Sequence, residues 1–177
     1  MEESILNGKR ILAVDDEPDV LEVIEEELRV ECSNCTFDKA STFEEASRKL
    51  ASVAYDLAIL DIMGVRGFDL LEQAVLKKLP VVMLTAHALT PGALRRSFEI
   101  GARAYIPKEK LVDMIVVLKD VLTYDNLPAW KRHLIRYEGF FKARWGEDWQ
   151  KTEEEFWKEF EEKSSSPKSG TAQRSKP

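Results

Sequence analysis

No excess of positive charge marks this chain. It carries 26 Lys and Arg against 32 Asp and Glu, a formal net of −6. Phosphate backbones are gripped by the opposite balance. The first 125 residues hold 15 basic against 23 acidic side chains, which argues against nucleic acid as their direct partner. Cysteine is nearly absent, with Cys32 and Cys35 alone. A zinc site needs four ligands, and only His87 and His133 offer imidazoles. A redox pair wants a thiol at a helix start, whereas these follow a helical pattern. They read as two reduced structural thiols. No apolar run approaches the ~20 residues that span a bilayer. The opening Met1-Glu2-Glu3-Ser4-Ile5-Leu6 has neither the basic start nor the apolar run of a signal peptide. A cytoplasmic protein is expected.

What is present is a regular alternation. Short apolar runs at 10–14, 56–60, 80–84 and 103–106, with an edge segment at 36–38, read as strands; continuous runs of this kind suit strands buried on both faces. Helical patterns lie between them. Pro18 opens the first, with Val20, Leu21, Val23, Ile24 and Leu28 directed inward. Thr42 and Glu45 have capping-box spacing and open the second. The third covers 68–77, the fourth runs from Thr90-Pro91 to Gly101, and the fifth covers 109–122. Five βα units joined by right-handed crossovers predict an α/β three-layer sandwich, a doubly wound (βα)5 fold on a parallel sheet. The organisation expected is an N-terminal arm (1–8), this domain (9–125), a helical extension (126–163) and a disordered tail (164–177), the last without apolar pattern.

The extension holds 9 of the 16 aromatic residues and all four tryptophans. Asn126 and Pro128 read as a helix start, and Gly146 as its stop. Trp130, Leu134, Tyr137, Phe141 and Trp145 form one helical stripe between them. Thr152-Glu153-Glu154-Glu155 reads as a second capping box, opening a short helix with Phe156, Trp157 and Phe160. The segment is too short for a winged helix and has no basic recognition face. Two readings stand: an amphipathic helix pair packed on the domain, or an interaction element for a second subunit or a partner protein.

Asp15 and Asp16, Asp61, Thr85 and Lys108 each fall at the end of an apolar run. Ligands of open parallel sheets bind at the carboxyl ends of the strands, so one edge gathers three carboxylates, a hydroxyl and an amine. That set suits a divalent cation together with a phosphoryl group. On these residues, in this order, 9–123 resembles the receiver domain of two-component response regulators, chemotaxis-regulator-like and without a DNA-binding domain. The resemblance implies a flavodoxin-like sheet of order 2-1-3-4-5. It implies that Asp61 accepts a phosphoryl group from a sensor histidine kinase, forming an aspartyl phosphate. Mg2+ would be held by Asp15, Asp16, Asp61 and the backbone carbonyl of Met63, and Lys108 would pair with a phosphoryl oxygen. Thr85 would turn to the phosphoryl group and Tyr105 would move inward, reshaping the face made by the fourth helix, fifth strand and fifth helix. Met63 and His87 fall at positions that tune dephosphorylation. Such a protein is a phosphoacceptor in signal transduction rather than an enzyme, and it acts through protein–protein contact. The alternatives are a phosphorylation-independent scaffold and a phosphorelay carrier.

Two departures from the family pattern bear on this. After the nucleophile the loop reads Asp61-Ile62-Met63-Gly64-Val65-Arg66-Gly67, lacking the usual Pro and two residues short. Gly64 and Gly67 suit a tighter turn. Glu109 follows Lys108 where the family often has Pro, so a trans bond is expected there.

Overall fold

The computed structural model describes residues 3–86 and 90–165. His87 and the tail from residue 166 onward lie outside the described residues. The chain runs β1 (Arg10–Val14), α1 (Pro18–Glu31), β2 (Thr36–Ala40), α2 (Phe43–Ser52), β3 (Leu57–Asp61), α3 (Gly67–Leu76), β4 (Val81–Thr85), α4 (Pro91–Ile100) and β5 (Ala104–Pro107). A 3-10 segment (Lys108–Asp113) leads into α5 (Met114–Thr123), and α6 (Asn126–Trp145) follows after Tyr124 and Asp125 alone. A second 3-10 segment (Trp149–Glu153) precedes α7 (Glu154–Ser165).

All strand pairs are parallel, in the order β2-β1-β3-β4-β5. Every residue of β3 and of β4 is buried, as expected of central strands with helices on both faces. β2, at one edge, is only partly covered. The Thr42 hydroxyl accepts the Glu45 N–H at 3.2 Å, while the Glu45 carboxylate accepts the Ser41 N–H at 3.2 Å. That arrangement starts α2 as its sequence signature implies. Thr90 caps α4 in the same manner, its hydroxyl accepting the Ala93 N–H at 3.1 Å.

The structure corrects several details. β3, β4 and β5 each end one residue later than the apolar runs, because the ladder continues. Asp61 pairs with Leu84 and Thr85 with Pro107. Both site residues are therefore the last residues of strands. β2 extends to Ala40 for the same reason. Val23 is 41% exposed, since α1 meets the sheet along a stripe narrower than its apolar content. The fifth helical pattern is interrupted at Lys110, whose backbone is non-helical. Thr152 does not cap α7; its hydroxyl donates to the Trp149 carbonyl at 2.9 Å inside the 3-10 turn. Helix α7 reaches Ser165, two residues into the predicted tail. Leu6, in the predicted arm, is fully buried. Cys32 and Cys35 are not free thiols but a disulfide. The turn from the end of α1 into β2 brings their Cα atoms to 5.8 Å, within bridging range.

The aromatic extension lies on the domain. α6 contacts β5 and α5, and the second 3-10 segment contacts α4. Trp130, Tyr137 and Phe141 of the stripe are buried, Leu134 and Trp145 half-buried. The Trp130 indole N–H donates to the Ala102 carbonyl at 2.7 Å. Phe98 of α4 sits edge-on to Trp130 (5.3 Å), Phe156 (5.4 Å) and Phe160 (5.4 Å), the geometry aromatic pairs favour. Arg132 and Arg136 pair with Asp120 of α5, and Arg95 of α4 pairs with Glu153.

Candidate functional site

The carboxyl ends of β1, β3, β4 and β5 converge as the topology requires. Asp15 is 1% and Asp61 3% exposed, whereas Asp16 is exposed. Lys108 reaches across from the end of β5. Its Nζ lies 2.8 Å from Asp15 Oδ2, 2.6 Å from Glu17 Oε1 and 3.4 Å from Asp61 Oδ1. Asp15 Oδ1 also accepts the Glu17 N–H at 2.9 Å. Glu17 is the residue that sequence reasoning missed. It stands in the acidic run before Pro18, where an acid is expected at a helix start for the dipole alone. Its contact with Lys108 needs the fold to be seen.

Charge in this cluster is not balanced. Burial, and next the Asp15 carboxylate, push Asp61 up to about 7. Burial also raises Asp15 above the usual carboxylate range, although Lys108 and the Glu17 N–H pull the other way. Burial pushes Lys108 down, but its bonds to Asp15 and Glu17 outweigh this and hold it above its ordinary value. One lysine therefore does not satisfy the buried acids, and a cation would lower the energy of both ionised carboxylates.

One carboxylate oxygen each from Asp15, Asp16 and Asp61 lies within 4.8 Å of the others. Opposite oxygens in an octahedral Mg2+ shell stand about 4.2 Å apart, twice the metal–oxygen bond. A small contraction would bring the three into one shell, with waters completing it. The residues fit a magnesium ion.

The short loop after β3 folds tightly. Gly64 has φ 69°, and a Cβ there would lie 2.4 Å from the Asp16 carboxylate. A Cβ on Gly67 would lie 1.9 Å from the Asp61 carbonyl oxygen. Gly67 is thus required by close approach to the backbone of Asp61, whereas Gly64 is favoured by its left-handed φ, the Asp16 side chain beside it being able to move. The Met63 carbonyl accepts the Val65 N–H at 2.6 Å, which leaves it a second lone pair. Met63 is 53% exposed. The Lys108–Glu109 bond is trans, there being no cis peptide among the described residues.

Thr85 and Tyr105 are both fully buried. Burial pushes the Tyr105 hydroxyl above its ordinary value, and the nearby Thr90 backbone and Thr85 side chain oppose the rise. The Tyr105 ring lies inside the fold in this structure. α6 lies over β5, so protein rather than solvent borders this strand. His87 lies outside the described residues.

The family model for the response regulator receiver domain matches residues 11–118. No curated protein matches the chain. Among solved structures, a CheY-like response regulator receiver domain protein of Methanospirillum hungatei is 28% identical, with a TM-score of 0.54, over 63% of this chain and 94% of that one. A putative response regulator of Chloroflexus aurantiacus is also 28% identical, with a TM-score of 0.54, over 66% and 98%. The receiver domain of the histidine kinase CKI1 of Arabidopsis thaliana, complexed with Mg2+ and BeF3-, is 19% identical with a TM-score of 0.57, over 67% and 93%; that likeness is one of fold. Five parallel strands in the order 2-1-3-4-5, the buried Asp61 among its acidic neighbours and the match to residues 11–118 agree, and the chain belongs to the response regulator receiver domain family.

Proposed function

We propose that Asp61 is the phosphoacceptor of a two-component response regulator. The observation that carries this is a buried carboxylate with its oxygen 3.4 Å from Lys108 Nζ, in a cluster of three acids fit for a divalent cation. An Asp61 oxygen attacks phosphorus as the bond to a phosphohistidine nitrogen of a sensor kinase breaks. The bond's electron pair stays on that nitrogen, which then takes up a proton. Lys108 neutralises an oxygen of the transferred group, and Asp15, Asp16, Asp61 and the Met63 carbonyl would hold Mg2+. The ion, when bound, offsets the repulsion between an anionic nucleophile and an anionic phosphoryl group. Thr85 is the hydroxyl donor to the phosphoryl group, Tyr105 its partner in switching, and Met63 and His87 modulate loss of the group. The unit formed by 9–125 carries this chemistry, and 126–163 is a separate helical extension.

The test is intact-protein mass after acetyl phosphate and Mg2+. One phosphoryl group is expected on the wild type and none on Asp61→Asn, both folded by circular dichroism. A phosphoryl group retained by Asp61→Asn would falsify the assignment. A second reading, a scaffold that kept the residues without the activity, draws on the Met63 carbonyl, already engaged by Val65 in the shortened loop. It predicts no Mg2+ binding by calorimetry. A phosphorelay carrier would pass the group on to a histidine-containing protein in a purified mixture.

A further inference from the structure

The family match stops at residue 118, yet buried structure continues to Phe160. The added helices form a hairpin. Phe98 of α4 touches both Trp130 and Phe160, while Trp149 touches both Phe141 and Trp157. The start of α6 therefore lies level with the later part of α7, and the two helices run antiparallel. Trp130, His133, Tyr137 and Phe141 form the buried stripe of α6. A neighbouring face of the same helix, with α7, lines an open groove of about 330 Å³. Its walls are apolar at Leu134, Ile135, Trp157 and Phe160, and Ile135 is 66% exposed. An exposed apolar patch with a polar rim marks a surface that binds something.

The charges on the two helices indicate what fits there. α6 carries five Lys and Arg against one Glu, and α7 five Glu against two Lys. Arg132 and Arg136 are held by Asp120 of the domain. Lys131 of α6 and Glu161 of α7 both line the groove, and neither forms an ion pair among the described residues. One wall is thus basic and the other acidic, and a second groove of the same kind complements both.

We propose that the groove is covered by the same groove of a second copy, giving a two-fold dimer whose α6–α7 hairpins form a four-helix bundle. A two-fold axis parallel to the helices keeps every residue at its own level and sets α6 of one copy against α7 of the other. The basic helix then meets the acidic helix twice. Lys131 of each copy faces Glu161 of the other, and the two Ile135 side chains close the apolar floor between them. An axis across the helices would set α6 against α6 and α7 against α7, a packing that juxtaposed like charges oppose. This dimer does not depend on the role given to Asp61.

Deleting the extension is no test, because it also uncovers the domain surface beneath. Sedimentation equilibrium of the full chain measures the dimer dissociation constant for the wild type, Ile135→Glu, Lys131→Glu and Glu161→Lys, with circular dichroism checking the fold of each. All three residues are exposed in the single chain, so these changes leave its core intact. A wild-type dimer is expected. Ile135→Glu, which puts a charge at the apolar centre, should abolish it. Lys131→Glu or Glu161→Lys alone should weaken it roughly tenfold, the size expected when two exposed ion pairs are lost. An equimolar mixture of these two single variants restores opposite charges at both contacts, and its dimer should return to near wild-type strength. A wild type that stays monomeric overturns the proposal and leaves the groove to another protein. A dimer that survives Ile135→Glu uses a different surface and also overturns it. Single variants that are weakened but not rescued by mixing overturn the pairing of α6 with α7.

Discussion

The glycines of the shortened loop decide whether the acidic site can form. At Gly67 an added Cβ meets backbone, 1.9 Å from the Asp61 carbonyl oxygen, and backbone cannot yield as a side chain can. Overpacking of this kind costs about 1–3 kcal/mol. Gly67→Ala should lower the unfolding free energy measured in urea by that amount and prevent phosphorylation. At Gly64 the neighbour is the exposed Asp16 side chain, which can move. Gly64→Ala should cost about 1–2 kcal/mol for its left-handed backbone and weaken Mg2+ binding through a displaced Asp16, read by calorimetry. His133 gives a different test. Burial holds its imidazole down to about 3 against an ordinary 6.5, with Arg136 adding to the effect. The unfolded chain takes up a proton below pH 6.5 that the folded chain refuses until about 3. This group therefore removes stability as pH falls across that window, by up to ~1.4 kcal/mol per pH unit. The difference in urea stability between wild type and His133→Gln should change with pH in that direction. A difference independent of pH would show that His133 is accessible to protons. The five polar site residues were legible because each ends an apolar run and the topology gathers strand ends. Glu17 and His133 were not: an acid at a helix start and a lone histidine on a helix have ordinary local explanations, and only docking gives them partners.

At the level of elements, local chemistry was the better guide where it was self-contained. Thr42 with Glu45 and Thr90 start α2 and α4 as their spacing implies. Thr152 has the same signature, yet α7 starts later, because its hydroxyl finds the Trp149 carbonyl first. Strand ends slipped by one residue since the last ladder pair involves Asp61 and Thr85, polar residues that an apolar pattern leaves out. The bond between Cys32 and Cys35 depends on how α1 turns into β2, which spacing alone does not give. The stripe on α6 was visible, but not the surface it meets. Trp130 is fully buried and hydrogen-bonded to Ala102. Trp130→Ala should cost about 3–5 kcal/mol, the range for large-to-small changes at buried aromatics, measured by urea unfolding. A cost near that of an exposed site would mean that α6 is undocked in solution.

For the molecule as a whole, deleting everything after Asp125 uncovers Phe98, Ala102 and the outer side of β5, now under the aromatic helices. The truncated protein should keep its parallel sheet but lose stability and self-associate, seen as a concentration-dependent shift in sedimentation. A monomer as stable as the full chain would show the extension to be dispensable for folding. No described helix is long and apolar enough to cross a membrane. Only Tyr124 and Asp125 separate α5 from α6. A tether this short fixes the stoichiometry of domain and extension at one to one and makes their meeting unimolecular. Tethered partners face an effective concentration that is commonly millimolar for short linkers. Dilution therefore leaves the docked fraction unchanged, in a cell holding few copies as in one holding many.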